Sequence, residues 1–364
     1  MKLYLALELS NKKWKLAFTT GQKIRLKTIE AGDLGGLQME LSKTRKKWNL
    51  PSEIAIYSVF EAGRDGFWIH RYLEHVGITN VVVDPASIEV NRRKRRAKTD
   101  RLDVQSLVRQ LMRYDGGEPK VWSVVRVPSE QDEDERRRER EVKRLKKEIS
   151  SGIVRIKSLL VLHGVRLASM RKLAEQLPEQ TGWNGKALPP IIVAEILREN
   201  DRVDYARSQL KDLEKDRAKR LENPKTKAEC TAKKLFEIRG IGVIGAMTLS
   251  EEFFSWRNFN NVREVGASAG LTGSAYDSGD SRIEQGISKA GSAVVRSLCV
   301  ELAWGWLRHQ PDSYLSQWFH EKFGNGRRSR RVGIVALARK LLVALWKYLK
   351  FDEIPQGAQL KPIA

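Results

Sequence analysis

Residues 3–9, Leu3-Tyr4-Leu5-Ala6-Leu7-Glu8-Leu9, decide the reading of the first part of the chain. Leu3, Leu5, Leu7 and Leu9 alternate with Tyr4, Ala6 and Glu8, a period of two that makes a strand and sets Glu8 on the face opposite the leucines. Two more strand-like runs follow, Trp14 to Thr19 and Lys23 to Ile29, and Thr20-Gly21-Gln22 between them is a hairpin turn signal. An amphipathic helix is expected over Gly36 to Trp48 and a buried strand over Ile54 to Phe60. A helix around Phe67 to His75 then leads to the β-branched strand Asn80-Val-Val-Val-Asp84, and a basic helical stretch after Pro85 carries Asp100 and Asp103.

An antiparallel meander followed by alternating helices and strands matches a ribonuclease H-like α/β architecture, expected over residues 1–127. Composition shifts at Pro128-Ser129-Glu130, and Gln131 to Ile149 is almost wholly charged. Val142, Leu145, Ile149, Ile156, Leu159 and His163 recur mostly at three, four or seven residue steps, which predicts a long helix. A second helical pattern, Ile192 to Leu221, folds back on it after a connection that includes Leu188-Pro-Pro-Ile191, giving a helical arm over 128–228. An exposed connector and a dimerising coiled coil both fit that arm. Residues 229–364 read as a mainly helical domain with a second basic run, Arg327-Arg-Ser-Arg-Arg331, and a short polar tail.

Lys and Arg number 67 against 45 Asp and Glu, a net charge of +22 that points to a polyanionic partner. Only Cys230 and Cys299 occur, far apart, so neither a disulfide scaffold nor a zinc site is expected, and the cytoplasm is the expected compartment. The N-terminus carries Glu8 inside its apolar run and reads as a strand, not a signal peptide. Arg339, Lys340 and Lys347 interrupt the apolar run Val332 to Leu349, which argues against a membrane span.

Metal-assisted phosphoryl transfer needs oxygen ligands from separate elements converging on divalent ions. Glu8 in the first strand, Glu61 directly after the strand that ends at Phe60, and Asp100 with Asp103 on one helix face could supply them. Each alone could be a surface acid. The run Arg92-Arg93-Lys94-Arg95-Arg96-Ala97-Lys98 borders the acids and suits phosphate neutralisation, as a groove for DNA or RNA. Arg239-Gly240-Ile241-Gly242 opens a helical run; such glycines form either a helix-hairpin-helix element approaching phosphate or a plain helix-joining turn. Gly270 to Asp280 reads as a polar loop offering Thr272, Ser274 and Ser278, among which spacing does not choose, before Ile287-Ser-Lys289-Ala-Gly291.

These residues resemble the transposases of insertion sequence family 110, in the branch typified by insertion sequence 1111, described as RNA-guided bridge recombinases. The resemblance runs over nearly the whole chain and rests on Glu61-Ala-Gly-Arg-Asp-Gly-Phe-Trp68, Arg96-Ala-Lys-Thr-Asp-Arg-Leu-Asp103, Val121-Trp-Ser-Val-Val-Arg-Val-Pro128, Gly240-Ile-Gly242, Tyr276-Asp-Ser-Gly279 and Ile287-Ser-Lys-Ala-Gly291. It implies a RuvC-like domain whose acidic tetrad, here Glu8, Glu61, Asp100 and Asp103, binds Mg2+, a coiled-coil arm, and a C-terminal transposase domain whose serine, here Ser278, attacks DNA. The family's first acid is usually Asp, and Glu8 departs from that. The implied partners are donor and target DNA, a structured noncoding bridge RNA, and further copies of the chain, as dimers assembling into a tetramer. Arg239, Gly240, Gly242 and Lys289, with the basic run, are the expected nucleic-acid contacts. A water-using metal nuclease and a catalytically impaired RNA- or DNA-binding scaffold are the alternatives.

Overall fold

The computed structural model describes residues 1–64, 66–88, 100–278, 281–324 and 326–362, with backbone alone at 100, 101, 274–278 and 281–285. It divides into two compact units, Met1–Val127 and Pro128–Ala364.

The first unit is a mixed α/β structure on a five-stranded sheet. Strands β1 (Leu3–Glu8), β2 (Lys13–Thr19) and β3 (Ile24–Glu30) form an antiparallel meander. After α1 (Leu34–Lys47), β4 (Ile56–Glu61) pairs parallel to β1; after α2 (Trp68–His75), β5 (Thr79–Val83) pairs parallel to β4. The order across the sheet is β3-β2-β1-β4-β5, and α3 (Asp100–Asp115) completes the unit. The expected strands and the first two helices are present, with ends shifted by one or two residues; the basic stretch expected as helical after Pro85 lies at residues 89–99, outside the described residues, and α3 is described from Asp100.

Period-two alternation gives the sheet two packed faces. Leu3, Leu5 and Leu7 join Trp14, Leu16 and Phe18 in one core, where Leu37 and Leu41 of α1 and Ile69 and Leu73 of α2 cover them. Each fully buried Leu there contributes about 1.5 to 3 kcal/mol. On the other face Ala6, Ala17, Val59 and Val83 meet Val104, Leu107, Val108 and Leu111 of α3. The small Ala6 and Ala17 let that helix lie close to the central strands.

The second unit begins with a helix pair. A capping box of Ser129 and Asp132 starts α4 (Glu130–Val161), and after α5 (Leu173–Gln176) the chain returns in α6 (Pro190–Glu222), whose Pro190 occupies the first turn where its missing N–H costs nothing. Ion pairs Arg217–Glu139, Lys146–Glu214 and Arg155–Glu199 show that α4 and α6 run antiparallel. A Cβ on Gly152 would lie 2.4 Å from Val203 Cγ2, so the glycine sets how closely the helices approach.

There follow α7 (Lys227–Phe236), α8 (Val243–Leu249), a π-helical turn Ser250–Phe254 and α9 (Val262–Ser268). Then come strands β6 (Gly273–Ser278) and β7 (Ser281–Ile287), α10 (Ala293–His309), α11 (Tyr314–Phe323) and α12 (Arg327–Phe351). The core of this part gathers Leu235, Phe253, Cys299, Trp306, Phe319 and Leu342. One expectation is corrected. Gly270 to Asp280 is no plain loop, because residues 273–278 form one arm of an antiparallel ribbon. Backbone pairing carries that ribbon, and its residues show none of the period-two apolar alternation by which strands are recognised. The short polar tail packs back on the domain: Leu360 bridges to Ile238, and Lys361 N donates to Glu237 O at 2.7 Å. Among the described residues no helix is long and apolar enough to cross a membrane.

Candidate active site and nucleic-acid interface

Parallel pairing places Leu7 opposite Phe60, so the next residues, Glu8 and Glu61, end adjacent strands side by side. Parallel neighbours lie about 4.8 Å apart. Both acids share the face of Ala6 and Val59, the face covered by α3. They line one pocket of about 360 Å³ with Ser10, Asn11, Gly63 and Arg64. Across the meander Glu8 is in register with Lys15.

The placement of α3 decides where the other two acids go. Asp115, its last residue, accepts hydrogen bonds from Lys2 Nζ at 2.8 Å and Tyr4 Oη at 2.6 Å, at the start of β1. The helix therefore runs antiparallel to β1. Asp103 lies twelve residues before Asp115, about 18 Å along a helix at 1.5 Å per residue. From Tyr4 to Glu8 the strand covers about 13 Å at roughly 3.3 Å per residue. The helix N-terminus, with Asp100 and Asp103, thus stands at the sheet end where Glu8 and Glu61 lie. Asp103 is half-buried; for Asp100 the backbone is described. Among the described residues no three His, Cys, Asp or Glu side chains are close enough together to hold a metal ion.

Ser278 belongs to the second unit, where it ends β6 opposite Ser281 of β7. The ribbon is anchored by backbone: Ser288 N donates to Thr272 O at 2.8 Å and Lys289 N to Gly270 O at 3.2 Å. Lys289 is exposed and adopts a left-handed φ of 56°. Gly291, at φ 115°, lies where a Cβ would come 2.3 Å from Ser268 O.

Gly240 and Gly242 join α7 to α8. Gly240 needs its φ of 92° to turn the chain, and Gly242 caps α8. Arg239 is exposed, but its guanidinium donates to Gln359 Oε1 at 2.6 Å. Lys361 Nζ donates to the carbonyls of Phe236 at 2.5 Å and Ile241 at 2.8 Å, so the tail straps the hairpin. Sequence reading missed Gln359 and Lys361, since polar residues near a terminus carry no periodic signal. Arg92, Arg93, Lys94, Arg95, Arg96 and Lys98 lie outside the described residues.

Comparison with known proteins bears on what such an arrangement serves. Residues 232–316, which span the Gly240 hairpin and the Ser278 ribbon, match the family described as "Transposase IS116/IS110/IS902 family". A putative transposase of Sinorhizobium fredii, y4rJ, is 39% identical over 99% of this chain and 94% of its own length. The chain belongs to that transposase family. The transposase is also similar to that of insertion sequence element IS1328 of Yersinia enterocolitica, 29% identical over 50% of this chain and 51% of that one. The transposase for IS1111A of Coxiella burnetii is 24% identical over 58% of this chain and 57% of its own. Membership makes this transposase a DNA-processing enzyme of transposition.

Proposed function

We propose that this transposase cleaves and rejoins DNA through a covalent phosphoserine at Ser278, assisted by an acidic site of Glu8, Glu61, Asp100 and Asp103 in a ribonuclease H-like, RuvC-like first unit. The observation that carries the reading is that β1 and β4, parallel neighbours, deliver Glu8 and Glu61 into one pocket at the sheet end to which α3 brings Asp100 and Asp103. The strand order β3-β2-β1-β4-β5, with an antiparallel meander and two parallel strands, supports the ribonuclease H-like assignment.

The donor chemistry suits Mg2+, which takes carboxylate oxygens in preference to nitrogen or sulfur. Held by these four acids, magnesium would stabilise negative charge on the phosphate as the bonds change. Ser278 Oγ forms a P–O bond while the ester bond to a deoxyribose oxygen breaks; the hydroxyl proton passes to a base and the leaving oxygen gains a proton. Rejoining is the reverse, with a new deoxyribose hydroxyl displacing Ser278. The tetrad and the serine are read as coming from different protomers of a tetramer built from dimers, with a structured bridge RNA selecting donor and target DNA by pairing. Arg92 to Lys98, Arg239, Gly240, Gly242 and Lys289 would hold nucleic-acid backbone.

The test is to incubate the full chain with donor and target DNA and the element's noncoding RNA, denature, and look for protein covalently joined to DNA. Wild type should show the adduct and Ser278→Ala should not. An adduct that persists in Ser278→Ala removes Ser278 from the role. Free cut ends without an adduct in wild type would favour hydrolysis by water.

A further inference from the structure

The second unit holds a basin of about 600 Å³ that the proposed chemistry does not use. One wall is a single face of α7, where Lys227, Cys230, Thr231 and Lys234 follow at helical steps of three and four. The end of α12 supplies Trp346 and Lys350, and the segment after the π-helical turn supplies a half-buried Arg257 with the exposed Asn258 and Asn260. Four cations and two amides thus face one space, and among the described residues lining it none is Asp or Glu.

The cations differ in what already occupies them. Lys234 pairs with Asp352 at the rim, and Lys350 donates to Phe259 O at 3.1 Å. Arg257 is different. Its guanidinium lies over the rings of Trp256, at 4.4 Å, and Phe253, at 5.5 Å, and its buried Nε has no hydrogen-bond partner among the described residues. Burial, and then Arg136, lower its pKa to about 10 against the opposing pull of Glu252, so it remains a cation at neutral pH. A largely desolvated cation is costly unless anions offset it, and a guanidinium lining the basin suits phosphate geometry.

We propose that this basin seats a backbone phosphate of a single nucleic-acid strand, a contact separate from the Gly240 hairpin. The inference rests on the reading of the chain as an enzyme acting on nucleic acid. Arg257 is half-buried, so a phosphate must come in past the exposed residues of the basin to reach it, which a pliant single strand does more readily than a stiff duplex backbone. The recognition is blind to sequence, because phosphate contacts position a strand without reading its bases.

The structure supplies its own reporter. Cys230 is exposed at the basin and Cys299 is buried, so a thiol-reactive dye labels Cys230 in the folded chain. Full-length protein would be titrated with fluorescent mixed-sequence single-stranded DNA, single-stranded RNA and duplex DNA over a range of salt, and Cys230 labelling timed with and without each. Arg257→Gln and Lys227→Gln should each weaken single-strand binding and reduce its log–log salt slope by roughly 0.7. Lys157→Gln, an exposed charge on α4, should change both much less. Bound single strand should slow Cys230 labelling several-fold, and the strand type that does so, DNA or RNA, names the source. Lys227 is exposed, so its variant keeps the test decisive if Arg257→Gln does not fold. Equal losses in Lys157→Gln, unaltered Cys230 labelling under saturating oligonucleotide, or equal protection by duplex would overturn the basin while leaving nucleic-acid binding intact. A chain that binds none of the three would remove the nucleic-acid reading as well.

Discussion

Tyr4, in the first strand, donates its hydroxyl to Asp115, the last residue of α3, at 2.6 Å. This contact fixes the direction of α3 and with it the end of the sheet at which Asp100 and Asp103 stand. The Lys2 ammonium, then the Tyr4 hydroxyl, hold the Asp115 carboxyl below its usual value of 3.8. A depressed carboxyl contributes stability that is present above the unfolded value and is lost as pH falls through the folded one. Asp115→Asn should therefore lower the melting temperature at pH 7 and narrow its gap to wild type as pH falls below 4. Thermal unfolding monitored from pH 7 to pH 2 checks this; a gap that stays constant would mean that the carboxylate charge contributes nothing.

Glu8, in the proposed acidic site, is one methylene longer than aspartate, and in catalysis that depends on position an error of about 1 Å can cost 10²-fold in rate. Glu8→Gln and Glu61→Gln should each reduce DNA cleavage by about that factor or more, with melting temperatures near wild type because both lie at strand ends. Glu8→Asp should retain cleavage. Strand cleavage measured against magnesium concentration separates these outcomes, and wild-type rates in both Gln variants would remove the pocket from the chemistry. RNA binding with no cleavage in wild type, restored by Glu8→Asp, would mark a natural scaffold.

Gly291 anchors the turn after the Ser278 ribbon. Its φ of 115° and the 2.3 Å approach of a Cβ to Ser268 O leave no room for a side chain. Gly291→Ala should cost at least about 2 kcal/mol in denaturant unfolding and should diminish adduct formation at Ser278, a residue it leaves unchanged. Unaltered stability would show that the turn can be rebuilt.

Glu251 sits in the π-helical turn with Arg220 at 2.7 Å, yet burial, reinforced by Glu139, pushes its carboxyl up to about 7. Arg220 also serves Glu229, whose carboxyl stays below its usual value despite burial, held by the Lys225 amide and Arg220. For Glu251 the folded state holds its proton more tightly than the unfolded state, whose value is 4.5, so stability from this group falls as pH rises from 4.5 to 7. Glu251→Gln should lose less stability than wild type across that interval. Melting temperatures at pH 5 and pH 8 test it, and parallel losses in both proteins would contradict a raised carboxyl.

The alternation of Leu3, Leu5 and Leu7 with Ala6 and Glu8 was enough to place β1, its two faces and the acid among them, because side-chain direction in a strand is local geometry. The charged helices α4 and α6 were legible for the same reason, their spacing being a property of each helix alone. The Ser278 ribbon was not, since its pairing is backbone with backbone and leaves no period in its side chains. Only the fold could bring Glu61, more than fifty residues from Glu8, to its side through parallel pairing, and only the bonds of Asp115 to Lys2 and Tyr4 settle which way α3 lies. The basin around Arg257 likewise exists only when α7, α12 and the turn between α8 and α9 meet. Local periodicity determined the elements of this transposase; contacts between residues far apart in the chain decided which of their side chains share a site.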